Sequence, residues 1–221
     1  MSWIELKPEG AGPISAWRAD PSGPPQGGVV VIQEIFGVNA HIRAVADRFA
    51  AEGFLAVAPA IFDHAEKGFD VGYDPESRTR GMAIAGKLDF DQILRDVAAA
   101  IDVAKEGGKV GIVGYCLGGS VAWAAGAELP GLSAAVGYYG GRILADKAAR
   151  PKIPTMLHFG EKDQHIPVAG VRELAAMHPD LPVYLYPADH GFNCDHRESY
   201  DPASAALAGE RTLDFLKREL R

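Results

Sequence analysis

Two cysteines in 221 residues are too few for a disulfide framework, and Cys116 and Cys194 stand in no zinc-type pairing. A reducing compartment fits such a chain and leaves a thiol free to work. Lys and Arg number 22 against 29 Asp and Glu, a formal net charge of -7, so the clustered basic surface that a nucleic-acid partner needs is missing. The expected partner is therefore a small molecule. No uninterrupted apolar run approaches the length of a bilayer span. The start Met1-Ser2-Trp3-Ile4-Glu5-Leu6-Lys7 has no basic stretch followed by an apolar core. A soluble, cytoplasmic protein without a membrane partner is expected. Internal repeats and low-complexity tracts are absent as well. What is present is 48% hydrophobic content, enough for one substantial core, and a single domain over residues 1–221 is expected.

The punctuation of the chain predicts an α/β architecture. Residues 3–6 and 14–18 read as two short strands around a Pro-Glu-Gly-Ala-Gly-Pro turn, pairing antiparallel at a sheet edge. The run Val29-Val30-Val31-Ile32 is continuously β-branched, the mark of a strand buried on both faces. Asn39 is an N-cap for a helix carrying Val45, Ala46 and Phe49, and Gly53 ends that helix before a strand at 54–58. Residues 59–80 are polar, with little periodicity, and read as a lid-like excursion longer than ordinary connections. A helix follows from Asp89 to Gly107. Strands at 110–113, 133–138, 155–159 and 183–186 then alternate with helices near 120–129, 168–177 and 203–220, eight strands in all.

The stretch Gly114-Tyr115-Cys116-Leu117-Gly118-Gly119 lies between an apolar strand and a helix, with a cysteine at its apex. This is the G-x-S-x-G spacing of a nucleophile elbow with cysteine in place of serine. The glycines are needed where the incoming strand and outgoing helix crowd together, and the helix N-terminus favours a thiolate. A thiol nucleophile needs a base, and the base needs an acceptor that fixes its tautomer. Asp163 follows the strand at 155–159, and His190 follows the strand at 183–186, where open α/β sheets place their site residues. The order nucleophile, acid, histidine is that of α/β-hydrolases. His158 reads as a core histidine, and His165 and His178 as surface residues; His41 and His64 lie near the front of the site. The run His190, Cys194, Asp195, His196 mixes ligand types but matches no zinc spacing, so neither metal nor cofactor is expected.

Together, Gln33-Glu34-Ile35-Phe36-Gly37-Val38-Asn39, the Cys116 elbow, Gly137-Tyr138-Tyr139-Gly140, Gly160-Glu161-Lys162-Asp163 and Asp189-His190-Gly191-Phe192 resemble the dienelactone hydrolase (carboxymethylenebutenolidase) family. The resemblance implies an α/β-hydrolase fold with a mostly parallel eight-stranded sheet and helices on both faces. It implies Cys116, Asp163 and His190 as a catalytic triad, with the backbone N–H groups of Ile35 and Leu117 as the oxyanion hole. In the family the glutamate matching Glu34 contacts the cysteine thiol and holds it unreactive until substrate arrives. The family reads substrate charge with arginines. Arg78, or failing that Arg80, matches the first; at the second position stands Cys194, and the nearest arginine is Arg197. Tyr138 matches a substrate-facing tyrosine, with Tyr139 beside it left as core.

These expectations describe a hydrolase that opens a lactone or ester through a thioester acyl-enzyme. A non-hydrolytic thiol-based sensor or small-molecule binder on the same fold is the alternative, disfavoured because a sensor needs only the thiolate. A monomer is expected.

Overall fold

The computed structural model describes residues 1–221. Strands β1 (Ser2–Leu6) and β2 (Ile14–Ala19) pair antiparallel at one edge of the sheet. Strand β3 (Gly28–Ile32) is buried along its whole length, as its β-branched run requires of a strand covered on both faces. Asn39 then caps α1 (Ala40–Ala51), its side-chain oxygen accepting from the Ile42 N–H. Strand β4 (Leu55–Pro59) follows and runs parallel to β3. The remaining elements are α2 (Pro75–Ala85), α3 (Phe90–Ala104), β5 (Val110–Tyr115), α4 (Leu117–Glu128), β6 (Leu132–Tyr138), β7 (Thr155–Gly160), α5 (Val168–Met177), β8 (Val183–Tyr186) and α6 (Pro202–Glu219). No helix is long and apolar enough to cross a membrane.

The eight strands lie in the order β1-β2-β4-β3-β5-β6-β7-β8, with every pair from β4-β3 to β7-β8 parallel. Alternation along β3 divides the core in two. Val29 and Val31 join α1 and α6 through Ile42, Phe49, Phe215 and Leu216. Val30 and Ile32 meet α3 and α4 through Val97, Ile101, Val121 and Ala125 on the other face. The sheet is thus sealed on both sides, and its polar chemistry is left to the carboxyl ends of the strands.

One expectation needs correction. Residues 59–80 are not wholly irregular, because α2 begins at Pro75, behind an Asp74 cap that accepts from the Ser77 N–H. Only Gly81 and Ile84 of this helix are buried, so it carries no apolar stripe for periodicity to detect. Its cap and its proline at the first position make it instead. Gly81 sits so close to the loop after β3 that a Cβ there would meet the Ile35 carbonyl oxygen at 2.1 Å. Helix α2 therefore holds the Ile35 peptide in place.

The turn from β5 to α4 is tight. Cys116 takes φ 55 and ψ -112, a conformation that costs a non-glycine residue about 1–3 kcal/mol. A Cβ on Gly114 would lie 1.8 Å from the Gly118 carbonyl oxygen, so the turn closes only over a bare α-carbon. Gly114→Ala is expected to destabilise the protein by about 3 kcal/mol or more through overpacking and backbone shift. Urea denaturation reads this directly. A midpoint equal to that of the wild type would mean that the turn opens freely.

Candidate active site

Three strand ends deliver three side chains to one row. His190, beyond β8, has Nε2 3.2 Å from Cys116 Sγ and Nδ1 2.7 Å from Asp163 Oδ2. Asp163, beyond β7, has a fully buried side chain whose other oxygen accepts from the N–H groups of His165 and Ile166. Its orientation is therefore set by backbone, and it presents one lone pair to the imidazole. Burial by itself would lower the His190 pKa. The hydrogen bonds and charges of Asp163 and Cys116 outweigh it and raise the imidazole to about 10. Burial likewise works against the Asp163 carboxylate, and the His190 contact outweighs it, holding the group below its usual range.

These shifts predict a pH dependence of stability. His190 binds its proton more tightly folded, at about 10, than at its ordinary 6.5, so its contribution is complete below pH 6.5 and is lost as pH rises through 10. Urea unfolding free energies should accordingly fall more steeply over that window in the wild type than in Asp163→Asn, where the imidazole loses its negatively charged partner. Parallel curves for the two proteins would show that Asp163 does not sustain the charge.

The sulfur sits at the start of α4. Leu117 is the first residue of that helix, where backbone N–H groups have no intrahelical acceptor, and the dipole favours negative charge. In the loop after β3, the Ile35 N–H donates to no backbone acceptor. Both amides are fixed from behind: Gly118 of α4 donates to the Gln33 carbonyl oxygen, and α2 presses on the Ile35 carbonyl.

Glu34 is placed differently from what the resemblance implies. Its carboxylate does not hydrogen-bond the Cys116 sulfur; Oε1 accepts from Arg197 Nη1 at 3.1 Å, and Oε2 is buried without a partner. With only 1% of the side chain exposed, the carboxylate takes the one guanidinium that reaches it, while His190 takes the sulfur. Arg197 lies over the rings of Phe36 and Tyr73, its charge favoured by Glu34 against the cost of burial. Arg80 is exposed and paired with Glu66. Arg78 has no carboxylate partner and lies 3.3 Å from His165 Nε2, whose ring stands edge-on to His190.

Tyr138 also requires correction. It shares a strand face with Ala134 and Val136 in the α6-side core, and its hydroxyl meets Ala208 O and Thr212 Oγ1. There it lines a cavity of about 340 Å³ between α1 and α6 that includes neither Cys116 nor His190. Tyr139, just past the strand end at φ 37, is the tyrosine whose ring packs 5.0 Å from His190. His158 is a core residue, bonded to Tyr186 and Thr212 and lowered to about 3 by burial. His178 closes α5 rather than lying on the surface. His64 is held by Asp96 of α3. His41 is fully buried beside Glu34 and lowered by that burial. Sequence reasoning missed His165 and Tyr73. The only signal for His165 was its place two residues after Asp163, and Tyr73 lay in a segment without periodicity.

The chain is similar to known proteins over most of its length. The sequence matches the model of the dienelactone hydrolase family over residues 14–220. It is 38% identical over 213 residues to a protein of Synechocystis sp. provisionally named carboxymethylenebutenolidase, spanning 87% of this chain and 86% of that one. To the carboxymethylenebutenolidase of Pseudomonas putida it is 33% identical over 214 residues, 92% of this chain and 90% of the other. A Klebsiella pneumoniae crystal structure, provisionally named a dienelactone hydrolase, superposes with a TM-score of 0.82 at 29% identity over 97% of each chain. Its α/β-hydrolase architecture is the one described above.

Proposed function

Because this chain belongs to the dienelactone hydrolase family, whose members are carboxylic ester hydrolases, we propose that it opens lactones or esters through a thioester on Cys116. The observation that carries the reading is the unbroken row from Cys116 Sγ through His190 to the buried Asp163. Glu34 and Arg197 flank that row as a buried ion pair.

In this reading His190 Nε2 takes the Cys116 thiol proton, the resulting thiolate attacks the carbonyl carbon, and the carbonyl π electrons move onto oxygen. The N–H groups of Ile35 and Leu117 hold that oxyanion. As the tetrahedral intermediate collapses, the acyl–oxygen bond breaks, and the His190 imidazolium gives its Nε2 proton to the departing alkoxide. In a lactone the new hydroxyl stays tethered to the acyl group. Water then attacks the thioester, His190 takes its proton, and the carboxylic acid leaves as the sulfur is released. Asp163 keeps His190 Nδ1 hydrogen-bonded throughout, so that Nε2 faces the sulfur. The Glu34–Arg197 pair tunes the thiol through its charges, and Arg78, beside His165, is the arginine that reads a substrate carboxylate in this reading.

Trapping tests the covalent step. An activated aryl ester mixed with enzyme and quenched with acid should add one acyl mass to the peptide containing Cys116. An acyl group on another residue, or none under burst conditions, would remove the thioester from the mechanism.

A further inference from the structure

Beneath the site, Glu34, His41 and Cys194 each bring one ligand-type atom within 4.8 Å of the other two, and all three residues are buried. The partners of their other atoms define which lone pairs point inward. Glu34 Oε1 is occupied by Arg197, so Oε2 is the free oxygen. His41 Nδ1 lies 2.9 Å from Asp195 Oδ1, and a carboxylate only accepts, so Nδ1 carries the hydrogen and Nε2 presents a bare lone pair. That Nε2 is buried without a partner. A buried carboxylate oxygen, an imidazole lone pair and a cysteine sulfur thus converge, each with electron pairs to give. Asp195 stands in the second-sphere position usual for a metal-bound histidine, fixing tautomer and ring orientation from behind.

We propose that Glu34 Oε2, His41 Nε2 and Cys194 Sγ bind one Zn²⁺ ion. An N, S, O donor set suits zinc and excludes magnesium and calcium, which take oxygen ligands only. Bond lengths of about 2.0–2.3 Å put the ligand atoms of a tetrahedral zinc roughly 3–4 Å apart, which small side-chain rotations reach from the present spread. The Cys194 thiol loses its proton to solvent as the metal binds. Water takes the fourth position, and the buried Tyr73 hydroxyl, beside the Cys194 sulfur, is placed to hydrogen-bond the ligand sphere. Asp195 and His196, both partly exposed, lead from His41 to the surface and provide the way in. Sequence spacing could not reveal the set, because its members come from the loop after β3, from α1 and from the loop after β8. The proposal is independent of the role of Cys116.

Cys116→Ala leaves Cys194 as the only thiol, so a thiolate-to-cobalt charge-transfer band on adding Co²⁺ to that variant must come from Cys194. The same protein should retain one equivalent of Zn²⁺ on dialysis. In the wild-type background, Cys194→Ser should weaken Zn²⁺ binding at least about tenfold, and Asp195→Asn about ten- to a hundredfold through loss of the second-sphere carboxylate charge behind His41. Asp195 is partly exposed, so its variant keeps the test decisive even if Cys194→Ser folds poorly. Absence of the cobalt band, or Zn²⁺ retention that Asp195→Asn leaves unchanged, would overturn the assignment and leave the cluster as the seat of a buried water.

Discussion

Replacing Cys116 by alanine should lower kcat/KM on small aryl esters by at least about a thousandfold, because the remaining groups can polarise a carbonyl but cannot form the covalent intermediate. His190→Ala should fall by a comparable factor, and the double variant little further, since residues that act as one unit are not additive. Iodoacetamide provides the independent readout. The Cys116 sulfur is partly exposed and hydrogen-bonded to His190, whereas Cys194 is fully buried, its thiol pushed up to about 12 by burial and by the charge of Glu34. Alkylation should be stoichiometric, map to Cys116 and abolish turnover. Near wild-type hydrolysis in Cys116→Ala would eliminate the nucleophile. Alkylation of Cys116 without turnover on any ester would favour a thiol sensor on this fold.

How much of this could be read beforehand depends on whether the signal was local. Strand β3 was legible because a run of four β-branched residues has one stable home, the middle of a covered sheet. The row of Cys116, Asp163 and His190 was legible because each follows an apolar strand, and strand ends converge in a parallel sheet. Helix α2 was not, since it is held by its cap and first-turn proline rather than by an apolar face. Tyr138 was misplaced although its strand contained the answer: period-2 alternation puts it with Ala134 and Val136, on the α6 side, leaving Tyr139 for the site. The Glu34–Arg197 pair spans 163 residues, and no pattern within either segment announces it. Long-range pairing of charges is decided by which groups burial brings together, so Glu34 finds a guanidinium where a contact with the thiol was expected.

That pairing separates the two arginines near the site. Arg197→Ala would strand a carboxylate that is 1% exposed, and leaving a buried charge without its partner costs about 3–5 kcal/mol. A large fall in urea stability is expected, with kcat/KM reduced alike on charged and neutral substrates, because the damage lies in the site's own framework. Arg197→Lys should recover part of the stability, since an ammonium can restore the charge but not the planar contact over Phe36 and Tyr73. Arg78 is exposed and has no carboxylate to lose, so its removal should leave stability unchanged. A charge-assisted bond to a substrate carboxylate contributes about 1.5–3 kcal/mol, or roughly ten- to a hundredfold, and solvent access at Arg78 favours the lower figure. Arg78→Ala should therefore lower kcat/KM about tenfold on a carboxylated lactone and hardly at all on its methyl ester. Arg80, already engaged by Glu66, should show neither effect. If Arg78→Ala loses equally on both substrates, the residue supports α2 rather than reading charge. Selective loss in Arg197→Ala would instead mean that Arg197 leaves Glu34 to meet the substrate.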